Sequence, residues 1–300
     1  MIDLVELYCD VDNFCRNICT EIKSKLMGEE ILITVDTPGL NLSEILTILI
    51  YYHFSHFDCI KHYYLVKIER ELKKDFPKLP SYNRFVERIK EIPVLTALYL
   101  QYKQAKFNGE GYIDSTPLEV CTKKRVHSHK VFKFEAKLGK SSKGWFFGLK
   151  LHVICDFMGN IIKCKITSGN ENDLKVGTHM LYGFKGKIYA DKGYIGKKEF
   201  RLLLEQGLFL ITGIRKNMKN RLLELWDKIL LKKRSLIETI FGLMKQTFHL
   251  EHSRHRSVVN ATVYILTTVI AYCWKPNKPK IKFTKQEAEL LEQLNLLDLY

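Results

Sequence analysis

Asp114, Asp191 and Glu238 sit in local settings that suit one kind of chemistry. Asp114 closes the apolar run Gly111-Tyr112-Ile113 and opens Ser115-Thr116-Pro117-Leu118-Glu119-Val120-Cys121. Asp191 ends Ile188-Tyr189-Ala190 and precedes Lys192-Gly193-Tyr194. Glu238 lies within the helical pattern that runs from Arg234 to Lys245. Two carboxylates at strand ends and a third on a helix offer hard oxygen ligands to a pair of Mg²⁺ ions, with Mn²⁺ as the natural substitute. Two such ions, about 3.5–4 Å apart, activate an attacking water or 3′-hydroxyl and stabilise the leaving oxygen in phosphoryl transfer on nucleic acid. Asp114 would bridge both ions, and Asp191 and Glu238 would each complete one. Any one of these carboxylates also reads as a turn residue or a surface charge; it is the set that points to metal.

Helix geometry supports the third member. At about 100° per residue, Ile237, Ile240, Phe241, Met244 and Phe248 form one apolar stripe. Arg234, Glu238 and Lys245 fall on one flank of it, where metal and phosphate could meet a carboxylate between two cations. The plainer alternative is an i, i+4 ion pair on a solvated helix.

Other chemistry-bearing residues carry less. His53, His56, Cys59 and His62 recur every third position, but four members drift around a helix, so one ion cannot collect them all. A helix face against core or DNA is the better reading. His127, His129 and His152 have no ligand spacing. Gly109-x-Gly111 reads as a linker-like turn, and no phosphate-binding glycine loop is present. Trp145 and Phe146, beside Lys143, suit either base stacking or the core.

The chain has 300 residues, 46% hydrophobic, and a net charge of +15. That is enough apolar material for a packed core, and enough positive charge to call for a polyanionic partner. Residues 123–150 hold nine Lys/Arg against one acid, and residues 211–257 hold eleven against four. Both runs adjoin the acidic set, so double-stranded DNA is the favoured partner. No apolar run is long enough to span a membrane. The eight scattered cysteines, with no C-x-x-C, predict free thiols and a cytoplasmic setting.

Positioning such a set needs a sheet and a helix. Residues 1–105 read as helical: Leu4 to Leu26, a short extended piece at Glu29–Val35, a helix capped by Asn41 or Ser43, helical pattern from Lys61 to Phe76 stopped by Pro77 and Pro80, then helices at Tyr82–Ile89 and Leu95–Tyr102. From 108 onward strands are expected at Tyr112–Asp114, Phe147–Cys155, Ile161–Thr167, Lys187–Asp191 and Leu208–Thr212, with a hairpin turn at Asp156–Asn160. Helices are expected at Asp173–Tyr182, Lys197–Gln206, about 234–248 and 258–274. Three meander strands followed by alternating helices and strands is the ribonuclease-H-like order, an α/β mixed sheet flanked by helices, here preceded by a helical N-terminal domain. Its first and fourth strands are parallel neighbours, which brings Asp114 and Asp191 side by side. The organisation is therefore 1–105 helical, 108–275 catalytic, and 276–300 a basic linker with a short helix from Gln286 to Leu297.

Several segments resemble the DDE transposases of bacterial insertion sequences, and insertion sequence family nine-eight-two most of all. They are Phe76-Pro77-x-Leu79-x-Ser81-Tyr82-Asn83-Arg84-Phe85-Val86, Asp114-Ser115-x-Pro117-x-x-Val120-Cys121, Thr167-x-Gly169-Asn170-x-x-Asp173, Ala190-Asp191-Lys192-Gly193-Tyr194, Ile237-Glu238-Thr239-x-Phe241-x-Leu243-x-Lys245 and His255-Arg256-Ser257. The resemblance spans roughly residues 40–275. It implies a catalytic triad of Asp114, Asp191 and Glu238 that binds two Mg²⁺. It makes Arg234 and Lys245 DNA-phosphate contacts, from an Arg-(3)-Glu-(6)-Lys pattern, and adds Lys192 and Arg256 to them. It makes Arg84 part of end recognition. Leu231 stands where some relatives carry a tyrosine, so hairpin-type chemistry does not carry over. The resemblance further implies terminal inverted repeats and target DNA as partners, a homodimer in the synaptic complex, and a bacterial cytoplasm at the nucleoid. Two rival readings remain: a metal-dependent nuclease of the same fold, and a non-catalytic DNA-binding remnant.

Overall fold

A computed structural model describes residues 2–25, 39–141, 144–213, 223–251 and 255–290. The expected extended piece at Glu29–Val35, the loop residue Lys143 and most of the Gln286–Leu297 helix lie outside the described residues; residues 285–290 are helical. The chain forms two compact units. One comprises Met1–Lys103 with Leu243–Pro276, the other Gln104–Gly242 with Asn277–Tyr300.

The helical unit contains α1 (Leu4–Lys25), α2 (Leu42–Tyr52), the short α3 (Ile60–Tyr63) running into a π-helical stretch at Tyr64–Glu71, α4 (Tyr82–Arg88) and α5 (Pro93–Lys103). The starts follow local chemistry. The Asn41 backbone N–H donates to the Glu44 carboxylate ahead of α2, and Ser81 accepts from the Arg84 N–H ahead of α4, each meeting a donor the helix cannot pair internally. Pro93 opens α5, where its fixed φ fits and its missing N–H costs nothing. The long apolar segment near the C-terminus of this unit is a single buried helix, Val258–Trp274. It packs on α2 and α5. Its buried Thr267 and Thr268 hydroxyls donate back to the Tyr264 carbonyl. That packing places 243–276 with the N-terminal helices, so the compact units do not follow the linear division at 105–108 and 275–276 read from the sequence.

The second unit is built on a six-stranded mixed sheet. Its strands are β1 (Glu110–Cys121), β2 (Lys137–Ser141), β3 (Gly144–Cys155), β4 (Ile161–Ser168), β5 (Gly186–Ala190) and β6 (Leu208–Thr212). The order is β2-β3-β1-β5-β6. β2 and β4 share the free edge of β3, β2 along 144–148 and β4 along 149–155. β1 is antiparallel to β3 and parallel to β5, and β6 is parallel to β5. Helices α6 (Asp173–Met180) and α7 (Lys197–Glu205) make the crossovers. They cover one face of the sheet with Ile113, Ile154, Val176, Ile188, Ala190 and Leu210 among the buried contacts. α8 (Leu225–Lys232) and the start of α9 (Ser235–Gln246) follow β6, and α10 is the Val258–Trp274 helix.

Three expectations need correction. Asp114 does not end its strand: β1 continues to Cys121, because β3 pairs it from Tyr112 to Cys121 with one register shift after Glu119. Pro117 is tolerated there because, among the described residues, the β1–β5 ladder stops at Ile113. What ends at Asp114 is the parallel ladder, whose last pair is Ile113 with Ala190. Gly111 is a strand residue rather than part of a turn. It pairs with Ile188, and a Cβ there would meet the Cys155 carbonyl oxygen at 2.5 Å, so only glycine allows β1 this close to its neighbour. β2 and α8 were not anticipated; β2 lies in a lysine-rich run that lacks strand patterning. The hairpin turn at Asp156–Asn160 is present, with the Asp156 carboxylate accepting from the Met158 and Asn160 N–H groups.

Candidate active site

Strand alternation decides what faces α8. Residues two apart in a strand share a face. Tyr112 and Asp114 on β1 therefore point together, as do Tyr189 and Asp191 at the end of β5. Tyr112 donates to the Leu230 carbonyl of α8 at 2.8 Å. Tyr189 donates at 2.8 Å to the carboxylate of the buried Asp227 on α8, which also takes a bond from Lys187 at 3.0 Å. Burial raises the pKa of both tyrosines, and the Asp227 bond raises Tyr189 further. Both phenols therefore remain protonated donors. The two strands thus pin α8, and α8 delivers Lys233 and Arg234 to the head of α9.

The three carboxylates meet on one guanidinium. Arg234 Nη1 lies 2.8 Å from Asp114 Oδ2, while Nη2 lies 3.1 Å from Glu238 Oε1 and 3.7 Å from Asp191 Oδ1. Asp114 is the most enclosed, its side chain 20% exposed against 55% for Asp191 and 59% for Glu238. Its Oδ1 accepts from the Ser115 N–H at 2.8 Å. Burial pushes the Asp114 carboxyl up to about 6, with Asp191 and Glu238 adding to the rise and Ser115 and Arg234 opposing it. Among the described residues, no three His, Cys, Asp or Glu side chains form a ready-made metal cluster. The chemistry of the donor set nonetheless suits a divalent ion: three carboxylates, the hard oxygen donors such an ion takes, already reach one cation.

On the opposite face of β1, Ser115 pairs with the buried His152 of β3. His152 Nε2 lies 2.8 Å from Thr167 Oγ1. Tyr194 anchors the turn after Asp191: its N–H donates to the Asp191 carbonyl at 3.0 Å. Its ring lies so close to Gly177 of α6 that a Cβ there would come within 2.6 Å.

The predicted phosphate contacts are distributed. Arg234 holds the triad. Lys192 follows Asp191, its aliphatic stem against Gly213. Lys245 and Arg256 belong to the helical unit, where Lys245 Nζ bonds Glu251 at 2.7 Å and Arg256 lies near Tyr82. Arg84, also in that unit, is exposed beside Glu87 at 3.1 Å. Of the 123–150 run, Lys123, Lys124, Arg125, Lys130, Lys133, Lys137 and Lys140 are exposed, whereas Lys150 is buried on Asp173 and the Glu171 carbonyl, each at 2.9 Å. Trp145 is 56% exposed with Lys140 Nζ 5.9 Å from its ring centroid, while Phe146 is core. His53 is a core histidine, its ring nitrogens 2.9 Å from the Phe248 carbonyl and 3.0 Å from Thr267 Oγ1. Sequence reasoning missed α8 and its anchors Tyr112, Tyr189 and Asp227. The shared Tyr-x-Asp pattern of the two strands was the available signal.

Residues 104–258, slightly more than half of the chain, match the family described as Transposase DDE domain. In fold the chain is similar to a solved structure described as "Cryo-EM structure of piggyBac transposase synaptic complex with hairpin DNA (SNHP)", with a TM-score of 0.51 and 10% sequence identity over 91% of this chain and 74% of that one. At that identity the likeness is one of fold. No curated protein matches the chain in sequence. No helix among the described residues is long and apolar enough to cross a membrane.

Proposed function

The chain belongs to the transposase DDE domain family, and on that premise we propose that it is a DNA transposase of an insertion sequence resembling family nine-eight-two, binding terminal inverted repeats and catalysing metal-dependent strand cleavage and transfer. The observation that carries this is the gathering of Asp114, Asp191 and Glu238, distant in sequence, on one face of one unit around Arg234. The strand order, with β1 parallel to β5 and antiparallel to β3, supports a ribonuclease-H-like reading of the sheet.

The three carboxylates are the residues that would hold two Mg²⁺. Bound there, the ions supply Lewis acidity and an activated oxygen nucleophile. The chain's own residues do the rest. Partial enclosure of Asp114 limits competing water. Arg234 has the planar donor fork that suits a phosphate, and the exposed lysines and Arg125 of 123–140 supply sequence-blind attraction to the backbone. Arg84 belongs to the helical unit, to which we assign the reading of repeat ends, and Lys192, Lys245 and Arg256 are the further phosphate contacts. A homodimer is the assembly that would pair two ends, and the element's host would be bacterial.

The test separates binding from chemistry. Asp114→Asn and Glu238→Gln should each abolish Mg²⁺-dependent cutting of repeat-end DNA while gel-shift binding in Ca²⁺ stays intact or tightens. Undiminished cutting by the Asp114→Asn protein would refute the assignment. Free ends with no joined product would favour the nuclease reading instead.

A further inference from the structure

Three carboxylates that reach one guanidinium, at 2.8, 3.1 and 3.7 Å, carry like charges that repel one another. Something cationic must hold them. Arg234 does so with two nitrogens reaching three side chains. The oxygens it engages, Asp114 Oδ2, Asp191 Oδ1 and Glu238 Oε1, include those a divalent ion would take. A carboxylate oxygen 2.8 Å from an Nη, with the guanidinium plane beyond it, has no room for a metal ion on the same side.

We propose that Arg234 is a stand-in for the metal: it holds the carboxylates together when no divalent ion is bound and is displaced when one binds. This rests on the reading of Asp114, Asp191 and Glu238 as metal ligands and adds a mode of regulation to that site. Displacement frees a guanidinium at the head of α9, and a DNA phosphate is the anion suited to receive it. Metal and DNA then favour each other by linkage: each binds more tightly once the other has settled where Arg234 goes. A site built this way binds divalent ions more weakly until the substrate arrives, which limits idle hydrolysis of other phosphodiesters. Arg234 acts as a positioning residue in both states, on the carboxylates before displacement and on phosphate after it.

The experiment uses the full chain and reads metal binding directly, by calorimetric or paramagnetic titration with Mn²⁺, and with Ca²⁺ where DNA is present. Removing the competing charge with Arg234→Gln should tighten Mn²⁺ binding to the DNA-free protein by about tenfold. In wild type, repeat-end duplex should tighten Ca²⁺ binding by a similar factor. In Arg234→Gln that enhancement should largely vanish. Arg234→Lys, a compact charge without the fork, should fall between the two, which guards against loss of fold in the glutamine variant. Mn²⁺ binding no tighter in Arg234→Gln than in wild type, or weaker, would overturn the proposal while leaving the metal site standing. Mn²⁺ binding that Asp114→Asn leaves unchanged would overturn the metal-site reading itself, and the proposal with it.

Discussion

Tyr112 and Tyr189 lie opposite each other in the parallel ladder between β1 and β5, ring centroids 5.8 Å apart, and each stands two residues before an aspartate of the site. The phenols reach α8 while the aspartates reach Arg234 at the helix that follows. One strand periodicity therefore sets both the carboxylates and the support of the residues that meet them.

Tyr189→Phe should test that support. It strips a hydrogen bond from the buried Asp227 and leaves that carboxylate with Lys187. A destabilisation of about 1–3 kcal/mol is expected, because a hydrogen bond to a buried charged carboxylate is worth more than one between neutral groups. Tyr112→Phe, which removes one bond to a carbonyl, should cost about 1 kcal/mol. Urea unfolding measures both. Catalysis should fall more than DNA binding in each, because α8 places Arg234 and Glu238 rather than the basic surface. Equal losses of binding and cutting would argue against this chain of support.

Replacing Lys123, Lys124 and Arg125 together by alanine should weaken DNA binding at every sequence alike and flatten the dependence of affinity on salt. Each lost phosphate contact should reduce the slope of log affinity against log salt by about 0.9. An unchanged slope would remove this segment from the DNA path.

Trp145→Ala should lower affinity for DNA with unpaired bases and leave fully paired duplex nearly unaffected, with Trp145→Phe largely restoring it. Stacking on an exposed aromatic contributes about 1–3 kcal/mol per base. Loss, in Trp145→Ala, of the part of the fluorescence quenched by oligonucleotide gives a second readout.

His53 predicts a pH response of the helical unit. Burial lowers its pKa to about 3, and His249 nearby acts in the same direction, against the bond to the Phe248 carbonyl. An imidazole whose folded pKa lies below its unfolded value stabilises the fold above pH about 6.5, and that contribution is lost progressively as pH falls toward the folded value. Unfolding midpoints should therefore decline on acidification over that window. His53→Leu should start lower at neutral pH, having lost the bond to Phe248, and decline less steeply. An NMR titration showing the His53 ring protonated at pH 6 would contradict this.

The sequence made the convergence of the three acids and the crossover legible because apolar strand patterns and acidic punctuation coincide at Ile113-Asp114 and Ala190-Asp191. The stripe on α9 was equally readable: Ile237, Ile240, Phe241, Met244 and Phe248 are all buried. The extent of β1 was not readable, since Pro117 and the polar Ser115-Thr116 mimic a turn and only pairing with β3 makes them a strand. The His53 series looked like spaced ligands, but burial against Thr267 and Phe248 settles its role, and those partners lie about 200 positions away. Arg234 was read as a contact for DNA; its grip on all three acids depends on the α8–α9 junction, which no local pattern announces.

The segment after α10 returns to the sheet unit. Ile281 N–H donates to the Phe157 carbonyl, Phe283 stacks on Trp226 of α8 at 5.6 Å, and Glu287 bonds Lys233 at 2.7 Å. Lys233 is the neighbour of Arg234. During synthesis the strands carrying Asp114 and Asp191 emerge early, but the residues that brace the α8–α9 junction from outside are made more than 30 positions after Gly242. Domains fold as the chain leaves the ribosome, N-terminal parts first. A nascent chain would thus carry its acidic residues well before the brace that fixes Arg234 among them, and the site would settle only after Glu287 has been made.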